Sequence, residues 1–162
     1  MNQDMIIDGF LHGEDPLSTM NALNQIGAGI QVDEDDRVLL CKRNRSFHDS
    51  DNEINLGNSG TGLRLMLGLA SGMGLKASFV GDVSLSSRPM ERVINPLAEM
   101  GANILSSEGK LPISISPSTI NMQYTYELPK ASAQVKSCIL LAGVSAGTGI
   151  EIIEPIQTRD HT

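Results

Sequence analysis

The feature that most restricts what this chain can fold into is an internal repeat. Leu23, Gly27, Ala28 and Ile30 recur as Leu97, Gly101, Ala102 and Ile104 at a constant offset (97 − 23 = 74; 104 − 30 = 74). A second segment, Leu65-Met66-Leu67, meets Ile139-Leu140-Leu141 at the same offset (139 − 65 = 74). One offset shared by two separate segments points to a duplicated unit. The copies run roughly over residues 15–88 and 89–162.

Each copy reads alike. A helix comes first, over Leu17 to Ile26 or Pro89 to Met100, with apolar residues near helical spacing. Gly27 and Gly101 then suit a helix C-terminus, where a left-handed residue is wanted. Short strands follow, at Gly29 to Val32 and Arg37 to Cys41, or Asn103 to Leu105 and Leu111 to Ile115. A second helix starts near Ser59 or Ser132 and runs to Ala70 or Gly143. A strand closes the copy, Ala77 to Val80 or Ile150 to Ile153. Alternating helices and strands read as α/β layers. At 162 residues the chain can bury a core and holds one domain or part of a larger one. With aromatics at 3% and no Trp, that core must come from Leu, Ile, Val, Met and Ala.

The repeat also bears on the chain's end. The first closing strand leads into Ser87-Arg88-Pro89 and a new helix; the second leads into Thr158-Arg159-Asp160-His161-Thr162. Thr158 or Asp160 fits a helix cap, so a helix cut short and a frayed polar tail are both open.

Three helix starts carry the candidate chemistry. A helix start presents unpaired backbone N–H groups and the positive end of the macrodipole, and both favour an anion. Asn58-Ser59-Gly60-Thr61-Gly62 precedes a helix, with Arg64 one turn inside. Taken alone, an ordinary turn and cap is the better explanation, because small polar caps are routine. Ser86-Ser87-Arg88-Pro89 says more, because Pro89 suits the first helical position and leaves Arg88 at the cap. An arginine there is better explained by an anion than by capping. Arg92, one turn on, is expected only to pair with nearby acids. Ala131-Ser132-Ala133-Gln134 opens the second copy's second helix, with Lys136 close by. It occupies the repeat-equivalent place of Ser59-Gly60, so the two starts can converge on one cleft.

Composition excludes other classes. A net charge of −7 argues against nonspecific nucleic-acid binding. The N-terminal stretch from Met1 to Phe10 has neither a secretory pattern nor a spanning length, so a cytoplasmic protein without a membrane partner is expected. Cys41 and Cys138 form no CxxC pair and read as reduced thiols. His12, His48 and His161 are scattered, and no metal site is expected.

At these residues the chain resembles the EPSP synthase family. The matching stretches are Gly9-Phe10-Leu11-His12-Gly13-Glu14-Asp15, Gly57-Asn58-Ser59-Gly60-Thr61, Ser84-Leu85-Ser86-Ser87-Arg88-Pro89-Met90, Leu111-Pro112-Ile113-Ser114-Ile115, Ser132-Ala133-Gln134-Val135-Lys136-Ser137 and Thr158-Arg159-Asp160-His161-Thr162. They cover nearly the whole chain in the family's order. The resemblance implies repeated helix-and-strand units of the enolpyruvyl transferase type, an inside-out α/β barrel-like domain of which about two of three units are here. It implies transfer of the enolpyruvyl group of phosphoenolpyruvate to shikimate 3-phosphate, without a cofactor. By motif, Asn58, Gly60, Thr61, Arg64 and Arg88 would contact phosphoenolpyruvate. Ser132, Ala133 and Arg159 would contact shikimate 3-phosphate, and Gln134 would reach both. Glyphosate occupies the phosphoenolpyruvate place in this family, and tolerant members carry alanine where this chain has Gly60. A methyl there is expected to enter space that the glycine leaves empty. The family's opening lysine segment and its second domain, with the acid–base groups, have no match. The chain therefore reads as truncated at both ends, with no catalytic residue of its own, inactive alone and partnered by the missing remainder. Two other readings remain open: the sister transferase that acts on UDP-N-acetylglucosamine, and a noncatalytic anion-binding or assembly module.

Overall fold

The computed structural model describes residues 5–32, 38–40, 46–120 and 123–156. Two helices of equal length, α2 (Gly60–Met73) and α5 (Ala133–Ala146), form its spine. Each starts on a serine whose hydroxyl accepts a backbone N–H three residues on, Ser59 from Gly62 and Ser132 from Val135. Each ends on a glycine with positive φ, Gly74 at 66° and Gly147 at 69°. Serine supplies the acceptor that the first turn lacks, and glycine enters the left-handed region without a Cβ penalty. The outer helices α1 (Glu14–Gln25) and α4 (Glu91–Glu99) also end alike. Gly27 and Gly101 have φ of 98° and 105°, and the next N–H returns to the helix, Ala28 to Leu23 O and Ala102 to Leu97 O.

The offset of 74 therefore holds for the first helix of each copy but not the second. The cap serines, the terminal glycines and the closing strands β5 (Ala77–Val80) and β9 (Ile150–Ile153) all recur at 73 (132 − 59 = 73). The equivalence of Leu65 with Ile139 is thus one residue out of register. Leu, Ile and Met fill both helices, so an apolar match tolerates the slip and a cap does not.

Sheet pairing recurs with the helices. Strands β2 (Gln31–Val32) and β3 (Val38–Leu40) pair antiparallel, as do β6 (Asn103–Ser107) and β7 (Lys110–Ser116). Strand β4 (Glu53–Asn55) runs parallel to β5, and β8 (Tyr124–Glu127) parallel to β9. The strand β1 (Met5–Ile7) lies antiparallel to β3, as β5 lies to β7. The predicted strands thus form, with Arg37 and Cys41 outside the described residues. Sequence reading passed over β1, β4 and β8. Strand β4 is three residues long with one buried residue, Ile54, too short a run for a period of two to stand out.

Helices α2 and α5 pack through small residues. A Cβ on Gly68 would lie 2.2 Å from Cys138 O, and one on Gly72 would lie 2.2 Å from Ala142 O. Glycines one turn apart let the backbones touch, which brings the two N-termini side by side. Around this contact the core gathers Leu63, Met66, Leu67, Phe79, Leu97, Ile113 and Ile139, all buried. Cys138 is a buried free thiol within it.

The segment after β5 departs from expectation. The hydroxyl-rich stretch Val83–Ser86 is a short helix, α3, capped by Asp82 through Leu85 N–H. Helix α4 starts at Glu91, not Pro89, and Arg88 does not cap it. Met90 is fully buried, and its N–H donates to Gly109 O in the β6–β7 turn at 2.8 Å. That anchor holds Pro89 and Met90 out of the helix. The Arg88 N–H instead closes α3 on Leu85 O at 3.1 Å.

Candidate anion-binding site

The α2 start is where the polar side chains converge. Gly60 is its first residue, and its missing Cβ leaves room for two guanidinium groups. A Cβ there would lie 2.8 Å from Arg88 Nη1 and 3.0 Å from Arg64 Nη1. Arg88 therefore reaches across to α2. Its Nη2 donates to Asn58 Oδ1 in a short contact and to Ser84 Oγ at 3.3 Å. Arg64 folds back along its own helix, donating from Nη1 to Gly60 O at 2.9 Å. The same nitrogen donates to Gln134 Oε1 at 2.9 Å, across the α2–α5 contact. Gln134 Nε2 in turn donates to Thr61 Oγ1 at 2.8 Å. One amide thus uses both its acceptor and its donor to tie the two helix starts together.

These residues line one polar cavity of about 430 Å³: Asn58, Gly60, Thr61, Arg64, Arg88 and Gln134, with Glu14 and Asp15 from α1. The arginines repel each other. Burial lowers the Arg64 pKa from its ordinary value and the charge of Arg88 lowers it further; Cys138 acts in the opposite direction, and Arg92 adds a smaller lowering. An arginine stays protonated in a protein. The shift therefore measures how unfavourable its environment is for a cation, and an anion between Arg64 and Arg88 would relieve it. The cavity can hold a small planar anion with two guanidinium groups and a helix N-terminus.

Six of the residues singled out in the sequence meet here. Ser132 does not; it lines a neighbouring cavity behind α5. Ala133 is the first residue of α5 and lines neither cavity. Arg159 lies outside the described residues. Lys136 turns away, bonding Glu154 Oε2 at 3.2 Å with both side chains largely buried. The methyl expected to enter empty space at Gly60 would instead meet the two arginine tips. Glu14 and Asp15 were not read as site residues. Two acids opening α1 look like ordinary dipole partners, and only the packing of α1 beside α2 puts them on this cavity.

A family model described as EPSP synthase (3-phosphoshikimate 1-carboxyvinyltransferase) matches residues 1–162. The chain belongs to the EPSP synthase family. It is 44% identical over 158 residues to the 3-phosphoshikimate 1-carboxyvinyltransferase of Hydrogenovibrio crunogenus, covering 96% of this chain and 36% of that protein. It is 46% identical over 156 residues to the one from Vesicomyosocius okutanii, covering 96% and 36%. Among solved structures, the EPSP synthase of Acinetobacter baumannii superposes with a TM-score of 0.88 at 39% identity, over 98% of this chain and 36% of that one. The α/β architecture is thus that of an EPSP synthase, and the chain spans about 36% of the length of these relatives. Among the described residues, no helix is long and apolar enough to cross a membrane.

Proposed function

We propose that this chain supplies part of the substrate surface of a 3-phosphoshikimate 1-carboxyvinyltransferase, the enzyme that moves the enolpyruvyl group of phosphoenolpyruvate onto shikimate 3-phosphate. The observation that carries the reading is the Gln134 bridge, which unites the two helix starts with Arg64 on one polar cavity. Phosphoenolpyruvate lies against Gly60, with Arg88, Arg64, Asn58 and Thr61 around it. Shikimate 3-phosphate lies toward the start of α5, on Ser132, Ala133 and Gln134, with Arg159 as a further contact. Two polyanions repel, so fixed cations and N–H donors lower the cost of bringing them together. The chemistry is acid-catalysed addition of the shikimate 5-hydroxyl to the enol phosphate of phosphoenolpyruvate, with a proton going to its methylene carbon, then elimination of phosphate. The residues here bind, and proton transfer falls to segments that the longer relatives carry. The relatives above are named for the shikimate substrate, which favours it over UDP-N-acetylglucosamine.

The test is a titration of the chain with each substrate, followed by NMR. Phosphoenolpyruvate should move the amides of Asn58 to Gly62 first, and shikimate 3-phosphate those of Ala131 to Lys136. Shifts confined to surfaces remote from both helix starts refute the assignment.

A further inference from the structure

A second cavity, of about 340 Å³, lies between α4 and the start of α5, and its residues are not used by the reading above except for Ser132. That volume falls within the range of small-molecule sites, about 300–1,000 Å³. Arg92 projects into it from α4 and Lys130 from the loop before α5. Among the described residues neither cation has a hydrogen bond or an ion pair. Arg92 is close enough to Arg64 to lower its pKa, so positive charge extends from the first cavity toward the second. Glu91 is the one acidic side chain lining the second cavity, against two cations. The rest of the lining is mainly apolar: Leu128 and Val135 are 2% and 4% exposed, and Tyr126, whose ring stacks on Tyr124, also lines the cavity.

The repeat supplies a control. At the offset of 74 that relates the first helices, Arg92 corresponds to Ser18 (92 − 18 = 74), and at the offset of 73 that relates the segments leading into α2 and α5, Lys130 corresponds to Gly57 (130 − 57 = 73). Neither equivalent carries a charge. The architecture does not need Arg92 and Lys130, so their presence in the second cavity calls for another cause.

We propose that the cavity between α4 and the start of α5 is a second anion site, distinct from the one at Gly60, which takes a small carboxylate with a flat apolar body. The carboxylate sits between Arg92 and Lys130. The body lies against Leu128, Val135 and the Tyr126 ring. A charge-assisted hydrogen bond is about twice as strong as a neutral one, so the charge on the ligand should dominate recognition.

Benzoate is the probe, with benzamide as its uncharged counterpart. Both are titrated into the chain and followed by NMR. Benzoate should move the resonances of Tyr126, Leu128 and Val135, with benzamide at least about tenfold weaker. Arg92→Gln and Lys130→Gln change exposed side chains, so the fold should persist; together they should weaken benzoate about tenfold or more. Arg88→Gln should leave benzoate binding unchanged while weakening phosphoenolpyruvate, which separates this site from the first. Equal binding of benzamide overturns the proposal, as does benzoate binding that is absent or indifferent to Arg92 and Lys130. Displacement of benzoate by shikimate 3-phosphate also overturns it, because the cavity would then belong to the substrate surface.

Discussion

Replacing Gly60 with alanine separates the arginine clamp from the fold around it. The new methyl carbon would stand 2.8 Å from Arg88 Nη1 and 3.0 Å from Arg64 Nη1. Ordinary contact begins at 3.4 Å, so the tips must retreat by about 0.6 and 0.4 Å. Both are the ends of long side chains, and alanine is the better helix former, so stability should change by less than about 1 kcal/mol. Binding should suffer more. Arg64 Nη1 holds Gly60 O and Gln134 Oε1, each at 2.9 Å, and a retreat of that size takes both bonds beyond good hydrogen-bond distance. Losing the equivalent of one charge-assisted hydrogen bond costs about 1.5–3 kcal/mol, or about ten- to a hundredfold in affinity for phosphoenolpyruvate. Calorimetric titration reads the affinity, and urea denaturation of the same variant reads the stability. An unchanged affinity would show that the arginines swing aside freely. A large loss of stability would show that Gly60 serves the packing and not the clamp.

Four further outcomes follow from the same geometry. In the full-length enzyme, Gly60→Ala should raise the ratio of the glyphosate inhibition constant to the phosphoenolpyruvate KM, since the longer ligand has less room; an unchanged ratio would place the discrimination elsewhere. Gly68→Ala sets a methyl against Cys138 O at 2.2 Å, so it should destabilise by about 1–3 kcal/mol in urea titration, where an exposed helical glycine would gain up to about 1. Burial pushes the Cys138 thiol from its ordinary 9.0 up to about 12. The unfolded thiol therefore ionises first, and its contribution should be level below pH 9 and fall by up to about 1.4 kcal/mol per pH unit above it, a share of the slope that Cys138→Ala should remove; burial also raises the Tyr124 and Tyr126 pKa values, so a slope from those groups should remain above pH 10. These 162 residues alone should release no phosphate from the two substrates; turnover near that of an intact enzyme would show that they contain the proton-transfer groups.

Much of this protein was legible in its residues because local physics decides it. Serines at 59 and 132 must satisfy first-turn N–H groups, and glycines at 27 and 101 adopt the backbone that ends a helix; α2 and α5 run on past Ala70 and Gly143 to the caps Gly74 and Gly147. Ala77–Val80 and Ile150–Ile153 were readable as strands because short apolar runs after a capped helix allow little else. The duplication itself was also visible, since composition and caps recur.

The tertiary structure decided where the long side chains go. Arg88 looked like the cap of its own helix, yet Met90, buried and bonded to Gly109 O, displaces the helix start and sends the guanidinium to Asn58 on another element. Lys136 lies near the start of α5 with a direction that sequence leaves open, and its ion pair with Glu154 turns it away. Ser132 and Gln134 are two residues apart but line different cavities, because a helix start directs neighbouring side chains to different faces. The register of 73 in place of 74 belongs with these. Apolar residues match across a one-residue slip, whereas a hydrogen-bonded cap has a single position. Contacts within one turn are a property of sequence, while an arginine reaching some 30 positions along the chain (88 − 58 = 30) depends on packing that no local pattern records.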